Sequence, residues 1–339
     1  MNTTDFAHHL TNYLSSYLPG QRNVSTNTIK SYRDTFSLFL RYCRDEKHLP
    51  SEKFTLNHLK RSLVEDFLIW LEQCRNCGIA TRNQRLAAIH AFCKYLQYEC
   101  PESMSTLQEV LSIPQKKAPS HSLAYISLHG VEAILAQPDQ SRKSGLRDLT
   151  LLALMYDTGA RVQEIADAAL GDVRLEPPAT IRLVGKGRKA RTVPLMERTA
   201  TLMRKYIECF FTDISASSSR PLFCNNQREK LTRSGIAFIL DKYVQMARSS
   251  AGEYLPEKVT PHVLRHSKAM HLLQSGVNLI YIRDLLGHAD MKTTEIYARA
   301  DSEAKRTALE NARMPTIPAE TPVWHQNADL LSWLQSLGR

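Results

Sequence analysis

Apolar residues recur at the spacing of amphipathic helices through most of this chain, and in one place they instead form two short runs of the strand type. The clearest helical pattern begins at Ser25, a residue type that caps helices, and continues to Arg44. The two strand-type runs, Thr180–Val184 and Arg191–Leu195, are joined by a tight turn at Gly185-Lys186-Gly187-Arg188. The pattern therefore predicts a mainly α fold with a small β-hairpin.

The helical patterns fall into two groups, separated by a connector at 113–122 whose prolines and lysines are typical of a linker. The first group predicts a small helical domain over residues 1–112, with helices at Ser25–Arg44, Leu56–Gln73 and Thr81–Glu99. The second group predicts helices at Ser127–Gln137, Leu146–Asp157, Arg161–Ala168, Thr199–Phe211, Ser234–Ser249, Pro261–Gln274, Leu279–Leu286 and Lys292–Ala300. A Pro-rich tail at 314–339 ends in a short amphipathic pattern, Asp329–Leu337.

Composition limits the class of protein further. A chain of 339 residues with 43% hydrophobic and 23% charged residues is typical of a two-domain globular protein. Lys and Arg number 44 against 34 Asp and Glu, and the resulting charge of +10 favours a polyanionic partner, above all nucleic acid. The longest apolar stretch is too short to span a membrane, and the first residues lack a secretory pattern. Because seven irregularly spaced cysteines suit a reducing compartment, we expect a cytoplasmic protein.

Six side chains in the second half are of the types that bind phosphate or transfer protons. They are Arg161, Lys186, His262, Arg265, His288 and Tyr297. Taken singly, each has a structural explanation, since an arginine at a helix start or a lysine in a Gly-Lys-Gly turn is usually a solvated surface charge. His262 and Arg265 lie three residues apart and therefore share a helix face.

Three other patterns resemble known kinds of site without meeting their requirements. Cys74, Cys77, His90 and Cys93 have a zinc-like spacing, but Cys93 belongs to the apolar stripe of a predicted helix. His262 and His266 are four apart, yet they lack the glutamate of the zinc hydrolase motif. The segment Gly185–Lys189 leads into a strand, whereas a phosphate-binding loop for ATP leads into a helix. We therefore expect no metal and no cofactor.

The six side chains lie within five ordered motifs. These are Thr158–Ile165, Gly185-Lys186-Gly187 leading into Arg191–Leu195, Thr260–Ser267, Leu285–His288 and Thr293–Tyr297. In order and spacing the chain resembles the tyrosine recombinase (phage integrase-like) family over residues 125–313. The helical N-terminal half is similar to that family's core-binding domain.

The resemblance implies a role for each motif residue in cutting DNA without a metal. Tyr297 is expected to attack a phosphodiester and form a 3′-phosphotyrosyl link. Arg161 and Arg265 are expected to clamp the phosphoryl oxygens, for which a planar guanidinium suits better than an ammonium group. The expected roles of the remaining residues are general acid for Lys186, acid/base near the tyrosine for His262, phosphate hydrogen bonding for His288 and support for Glu164.

Two neighbours complicate these assignments. Lys189 competes with Lys186 for the role of general acid, and we prefer Lys186 because it lies between the turn glycines, where the family pattern has its lysine. His266 directly follows Arg265, and its spacing predicts that it lies on another face of the helix.

The same resemblance implies a two-domain, C-shaped clamp around duplex DNA. In the N-terminal domain the expected DNA contacts are Lys30, Arg33, Arg82, Asn83 and Arg85. In the hairpin they are Arg188, Lys189 and Arg191, lying against phosphates. The predicted domains are 1–112 for DNA binding, 113–122 as linker and 123–313 for catalysis, with 314–339 as a tail.

The family's reaction also implies partners and a biological role. We expect a homotetramer on two DNA sites that exchanges strands through a Holliday junction, aided by accessory proteins. The Asp329–Leu337 helix is expected to dock on a neighbouring subunit. Integration or excision of a mobile element is the role the tail favours. Resolution of chromosome dimers and a type IB topoisomerase activity are the alternatives.

Overall fold

The protein is described here by a computed structural model that covers residues 3–117, 123–185, 187, 189–211, 218–288 and 290–300. The chain forms two compact units, which divide between positions 121 and 122. No helix within the described ranges reaches the length and hydropathy that a bilayer crossing requires.

The first unit is entirely helical in its described part. Its helices are α1 (Asp5–Asn12), α2 (Thr26–Lys47), α3 (Arg61–Gln73), α4 (Ile79–Glu99) and α5 (Met104–Leu111), with a π-helical segment at Tyr13–Gln21. Ser25 caps α2 by accepting a hydrogen bond from the Thr28 amide, and His48 ends it in the left-handed conformation. Helices α1 to α4 contribute aromatic rings to one core, to which α5 adds Leu107 and Val110.

The three helices predicted for this unit are confirmed, but one of them is shorter than predicted. The stretch from Leu56 does not run continuously to Gln73, because Leu56–His58 is a separate 3₁₀ turn in which His58 Nδ1 accepts from the Thr55 amide at 3.0 Å. Helices α1 (Asp5–Asn12) and α5 (Met104–Leu111) were not predicted from the sequence.

The second unit surrounds a small antiparallel sheet with helices. The sheet has the order β1 (Val173–Arg174), β2 (Thr180–Val184) and β3 (Ala190–Pro194), with Ile181 paired to Val193. Its helices are α6 (Leu128–Leu135), α7 (Lys143–Thr158), α8 (Val162–Asp167), α9 (Glu197–Phe210), α10 (Arg233–Ala251), α11 (Pro261–Gln274), α12 (Leu279–Leu286) and α13 (Lys292–Ala300). Ile181, Leu183 and Val193 point from the sheet into the core of this unit.

The predicted hairpin is confirmed, and α11, α12 and α13 have the predicted bounds. Strand β1 was missed because two residues are too few to show an alternating pattern. Helix α7 begins at Lys143, three residues before the predicted start.

The junction between α7 and α8 brings Arg161 against α12. Gly159 ends α7 with a φ of 56°, in the left-handed region that glycine adopts without strain. A Cβ at this position would lie 2.6 Å from Leu286 Cδ2, so the junction packs directly against α12. Arg161 lies two residues further on and is the N-cap residue of α8.

Replacing Phe92 by alanine is predicted to destabilise the first unit by about 3–5 kcal/mol, the range for truncating a buried phenylalanine. Phe92 is fully buried, and its ring lies 5.1 Å from that of Phe36 and 5.2 Å from that of Tyr13. Hydrogen exchange of the α4 amides in the full chain measures the loss. Tyr98→Ala on the same helix is the control, because Tyr98 is 85% exposed; an equal loss there would contradict the account.

Candidate active site

Three arginines converge on the C-terminal end of α12. Each donates a hydrogen bond to a different backbone carbonyl, and the three carbonyls are consecutive. The contacts are Arg191 Nε to the Leu285 oxygen at 2.8 Å, Arg265 Nη2 to the Leu286 oxygen at 2.8 Å and Arg161 Nη2 to the Gly287 oxygen at 3.2 Å. The arginines come from β3, from α11 and from the α7–α8 junction, so one helix end joins three parts of the unit.

The chemistry of a helix end explains why arginines gather there. The last carbonyls of a helix lack partners within the helix and carry partial negative charge. In α12 the carbonyls of Arg283 and Asp284 accept from the amides of His288 and Gly287, because Gly287 turns the chain with a φ of 65°. The next three carbonyls accept from the arginines.

Glu164 binds two of the three arginines, Arg161 and Arg191. Its side chain is 2% exposed and accepts both Arg191 Nη1 at 2.9 Å and Arg191 Nη2 at 2.8 Å. It also accepts Arg161 Nη1 at 2.9 Å and the Arg161 amide at 2.8 Å. Burial alone would raise the pKa of this carboxyl, but the hydrogen bonds and charges of the arginines lower it to about 2. Glu164 is therefore ionised at neutral pH.

Arg265 is the most deeply buried of the three cations that meet α12. It is 4% exposed, and its Nη1 donates to the Gly159 carbonyl at 2.6 Å. Burial and then the nearby Arg161 lower its pKa to about 10, so it stays charged at neutral pH. The Arg161 side chain is 30% exposed. With three guanidinium groups around one carboxylate, the cluster keeps a positive charge that attracts an anion.

Tyr297 lies against this cluster on α13. It is 1% exposed, and its hydroxyl is 2.9 Å from Nδ1 of His266. Its ring stacks on that of His288, with centroids 6.3 Å apart. Burial raises the pKa of Tyr297, while the charges of Arg265 and Arg161 oppose the rise.

The contact with His266 corrects the sequence analysis, which placed this residue on a different face from the site. His266 is indeed rotated from Arg265 around α11, but α13 packs on that side and brings Tyr297 to it. A signal was present in the sequence: His262 and His266 are four residues apart and therefore neighbours on one helix face, with ring centroids 6.5 Å apart.

The two predicted histidines are both near the arginines. His288 directly follows the end of α12 and its Nδ1 lies 2.9 Å from Thr294 Oγ1. Burial, then Arg265 and Arg161, lower the pKa of His288 to about 4. The same three causes, in the same order, lower the pKa of His262. His288 is therefore neutral at pH 7, and His262 is shifted in the same direction.

The hairpin turn closes one side of a cleft of about 700 Å³ that Arg161, Gly287 and His288 also line. Lys186 and Arg188 lie outside the described residues. Next to them, the Gly185 amide donates to the Lys189 carbonyl at 2.8 Å and closes the turn. Lys189 is exposed at the edge of this cleft.

Arg191, predicted to contact DNA phosphates together with Arg188 and Lys189, is engaged within the protein. Its side chain is only 13% exposed. All three of its nitrogens donate within the protein, to Glu164 and to the Leu285 carbonyl. The sequence alone does not show whether the side chain of an arginine at this position points outward to DNA or inward to the protein.

Three of the five predicted DNA contacts of the first unit are also engaged internally. Arg82 is 7% exposed and donates to the Pro114 carbonyl, and Asn83 pairs with the backbone of Lys116 in both directions. Arg85 donates to Ser31 and Thr35 of α2. By contrast, the other two, Lys30 and Arg33, are exposed on α2.

The zinc-like spacing has a structural explanation. Cys93 is fully buried in the core, and His90 Nε2 lies 3.0 Å from the Val110 carbonyl oxygen. Within the ranges that the structure describes, no three histidine, cysteine or acidic side chains are arranged to hold a metal ion.

Comparison with known proteins places this mainly helical protein in a family. The model of the phage integrase family matches residues 125–304, and that of the phage integrase N-terminal SAM-like domain matches residues 10–99. A candidate integrase/recombinase of Sinorhizobium fredii, y4rC, is 33% identical over 328 residues, which are 97% of each chain. Tyrosine recombinase XerD of Listeria monocytogenes is 32% identical over 83% of this chain and 90% of its own.

Solved structures show the same fold. The Tn1549 transposon integrase, determined in complex with transposon right end DNA, covers 89% of this chain and 98% of its own with a TM-score of 0.68 at 16% identity. The predicted fold class is thereby confirmed. The chain belongs to the phage integrase family, and it is a tyrosine recombinase, an enzyme of site-specific DNA recombination.

Replacing Glu164 by glutamine is predicted to destabilise the second unit by about 3–5 kcal/mol at pH 7, because Arg161 and Arg191 lose the buried counterion that they share. The folded-state pKa of about 2 is below the ordinary 4.5, so this stabilisation is complete above pH 4.5 and is lost as pH falls from 4.5 towards 2. Thermal unfolding between pH 2 and 7 measures it, and the variant is expected to lose less stability over that range.

The control is Glu65→Gln, which removes an exposed ion pair with Arg61 and is expected to change stability by about 0.5 kcal/mol or less. A Glu164 variant as stable as the wild type at pH 7 would contradict the proposed counterion role.

Proposed function

We propose that Tyr297 is the nucleophile of this recombinase, attacking a DNA phosphodiester to leave a 3′-phosphotyrosyl link and a 5′ hydroxyl. The observation that carries the proposal is the position of the Tyr297 hydroxyl, bonded to His266 and close to two arginines whose charges favour the phenolate. Double-stranded DNA is the substrate, as the complex of the similarly folded Tn1549 integrase with DNA supports.

Arg161 and Arg265 bind the non-bridging oxygens of the attacked phosphate. Each guanidinium has five N–H groups, and the contacts with protein acceptors use two on each. The remaining N–H groups serve the phosphate, whose negative charge increases as the tyrosine oxygen approaches phosphorus. Because both arginines are already fixed by protein carbonyls, they need no reorganisation when that charge develops.

Proton transfers accompany the exchange of one P–O bond for another. The phenol gives its proton to Nδ1 of His266, which accepts it when the imidazole proton is on Nε2. Neutral His288 donates a hydrogen bond to a phosphoryl oxygen, and His262 acts as an acid or base beside the arginines. Lys186 protonates the departing 5′ oxygen, with Lys189 as the rival for this role.

The remaining DNA contacts and the assembly are also part of the proposal. Lys30 and Arg33 on the exposed face of α2, together with Lys189 and Arg188, contact DNA, and binding weakens as salt rises. The enzyme acts in the bacterial cytoplasm as a homotetramer that resolves a Holliday junction, with accessory proteins. The proposed trans-docking helix Asp329–Leu337 lies outside the described residues.

Integration or excision of a mobile element is the biological role we propose. Its support is the similarity to y4rC, which carries an integrase/recombinase name and matches over 97% of both chains. The 32% identity with XerD, a protein named as a tyrosine recombinase, keeps chromosome-dimer resolution as the second candidate.

Tyr297→Phe is predicted to abolish covalent attachment to DNA, since the variant lacks the attacking oxygen, while leaving DNA affinity unchanged. The enzyme is incubated with DNA from its own genomic neighbourhood and denatured, and the attached strands are sequenced. A single common 3′ end in the wild type is expected. Tyr281→Phe on α12 is the control, because that ring is 71% exposed. Covalent attachment by the Tyr297 variant would refute the assignment, and scattered 3′ ends would indicate a topoisomerase.

A further inference from the structure

Arg191 lies where the hairpin meets the active site. Its guanidinium bridges Glu164, which also holds Arg161, and the Leu285 carbonyl at the end of α12. Its Nη1 would lie 2.8 Å from a Cβ added to Gly287, so the side chain is packed directly against the turn that precedes His288. One side chain of β3 therefore contacts three parts of the site.

Arg191 is the side chain of β3 that contacts the rest of the second unit close to the hairpin turn. Along β3 the residues alternate in burial: Val193 is in the core, Ala190 and Thr192 are exposed, and Arg191 points inward between them. Arg191 pairs with Leu183 of β2, and beyond the next pair, Val184 with Ala190, the turn begins. Arg191 is thus the inward-pointing residue of β3 that lies nearest to the turn.

On the other side of the turn, Gly185, which directly follows β2, approaches the same carboxylate, that of Glu164. A Cβ on Gly185 would lie 3.0 Å from Glu164 Oε1 and 3.6 Å from Arg161 Nη1. The base of the turn is therefore in contact with the carboxylate that Arg191 binds. Both sides of the turn are fixed relative to Arg161, the proposed phosphate ligand.

We propose that Arg191 is a positioning residue for the general acid of DNA cleavage. It fixes the base of the hairpin turn, at Gly185, against Glu164 and α12, and the general acid of the proposed mechanism, Lys186, depends on that anchoring to act on the phosphate bound by Arg161. This inference rests on the proposed function. Three directional hydrogen bonds from a planar group are needed, so a lysine at position 191, with one point charge, cannot hold the turn in the same place.

A substrate with a different leaving group can test whether Arg191 acts by positioning the general acid or in some other way. When sulfur replaces the bridging 5′ oxygen of the substrate, the thiolate leaves without a proton, and general acid catalysis is no longer required. Arg191→Lys is expected to cleave ordinary DNA about 100-fold more slowly than wild type, the effect of a misplaced catalytic group. On the 5′-thio substrate its rate is expected to lie within about threefold of the wild-type rate, with unchanged DNA affinity.

Lys186→Ala is expected to show the same rescue by sulfur, whereas Tyr297→Phe is expected to cleave neither substrate. Arg174→Lys is the matched control, because Arg174 is an exposed arginine of the same sheet. Gly185→Ala is the second variant. Its new Cβ would lie 3.0 Å from Glu164 Oε1, so the turn and the carboxylate must separate slightly although Arg191 itself is not replaced, and the same rescue is expected.

A wild-type rate for Arg191→Lys on ordinary DNA would overturn the proposal. So would equal slowing on both substrates by a folded Arg191→Lys or Gly185→Ala protein, since the defect would then not concern the acid. The proposed function fails in a distinguishable way: the Lys186 variant is not rescued, or Tyr297→Phe still forms the covalent link, whatever the behaviour of Arg191.

Discussion

Three consecutive backbone carbonyls at the end of α12 determine the relative positions of the groups around the site. They accept arginines from β3, from α11 and from the α7–α8 junction, so the hairpin and two helical segments are tied to one point. The next residue in the chain is His288, and the next helix carries Tyr297. A helix C-terminus suits this task because its orphan carbonyls are rigidly spaced and partly negative.

Placing three guanidinium groups around one carboxylate costs free energy, because the groups repel one another. The same arrangement creates the positive charge that the proposed reaction uses. Glu164 and the carbonyls offset part of the repulsion, and the remaining positive charge attracts a phosphate. Arg265 and Arg161 also lower the pKa of His288, so it stays neutral, and they oppose the rise in the pKa of buried Tyr297. One arrangement of charge therefore acts on the proposed phosphate ligands, on the neutral His288 and on Tyr297, the proposed nucleophile.

Many elements of the fold and of the candidate site could be predicted from the sequence, because the spacing of apolar residues and the order of the motifs depend only on residue type and position. The hairpin, the bounds of α11 to α13 and the face shared by His262 and Arg265 are examples. The contacts that could not be predicted depend on which helices and strands pack against each other in the folded protein. Arg191 and Arg82 have the residue type of a DNA contact, but each donates to a backbone carbonyl of the protein. Every residue has a backbone carbonyl, so the sequence does not show which carbonyl an arginine will bind. Similarly, His266 joins the site only because α13 packs beside it.

The most direct test of the central claim is the single-turnover cleavage rate of Gly287→Ala on a DNA recombination site. The new Cβ would meet Arg191 Nη1 at 2.8 Å and disturb the turn that presents the carbonyls. Gly276→Ala is the control, since Gly276 has a φ of 79° but no atom within 4 Å of the added Cβ. A fall of about 100-fold is expected for Gly287→Ala alone, with DNA affinity retained. Equal rates for the two variants would contradict it.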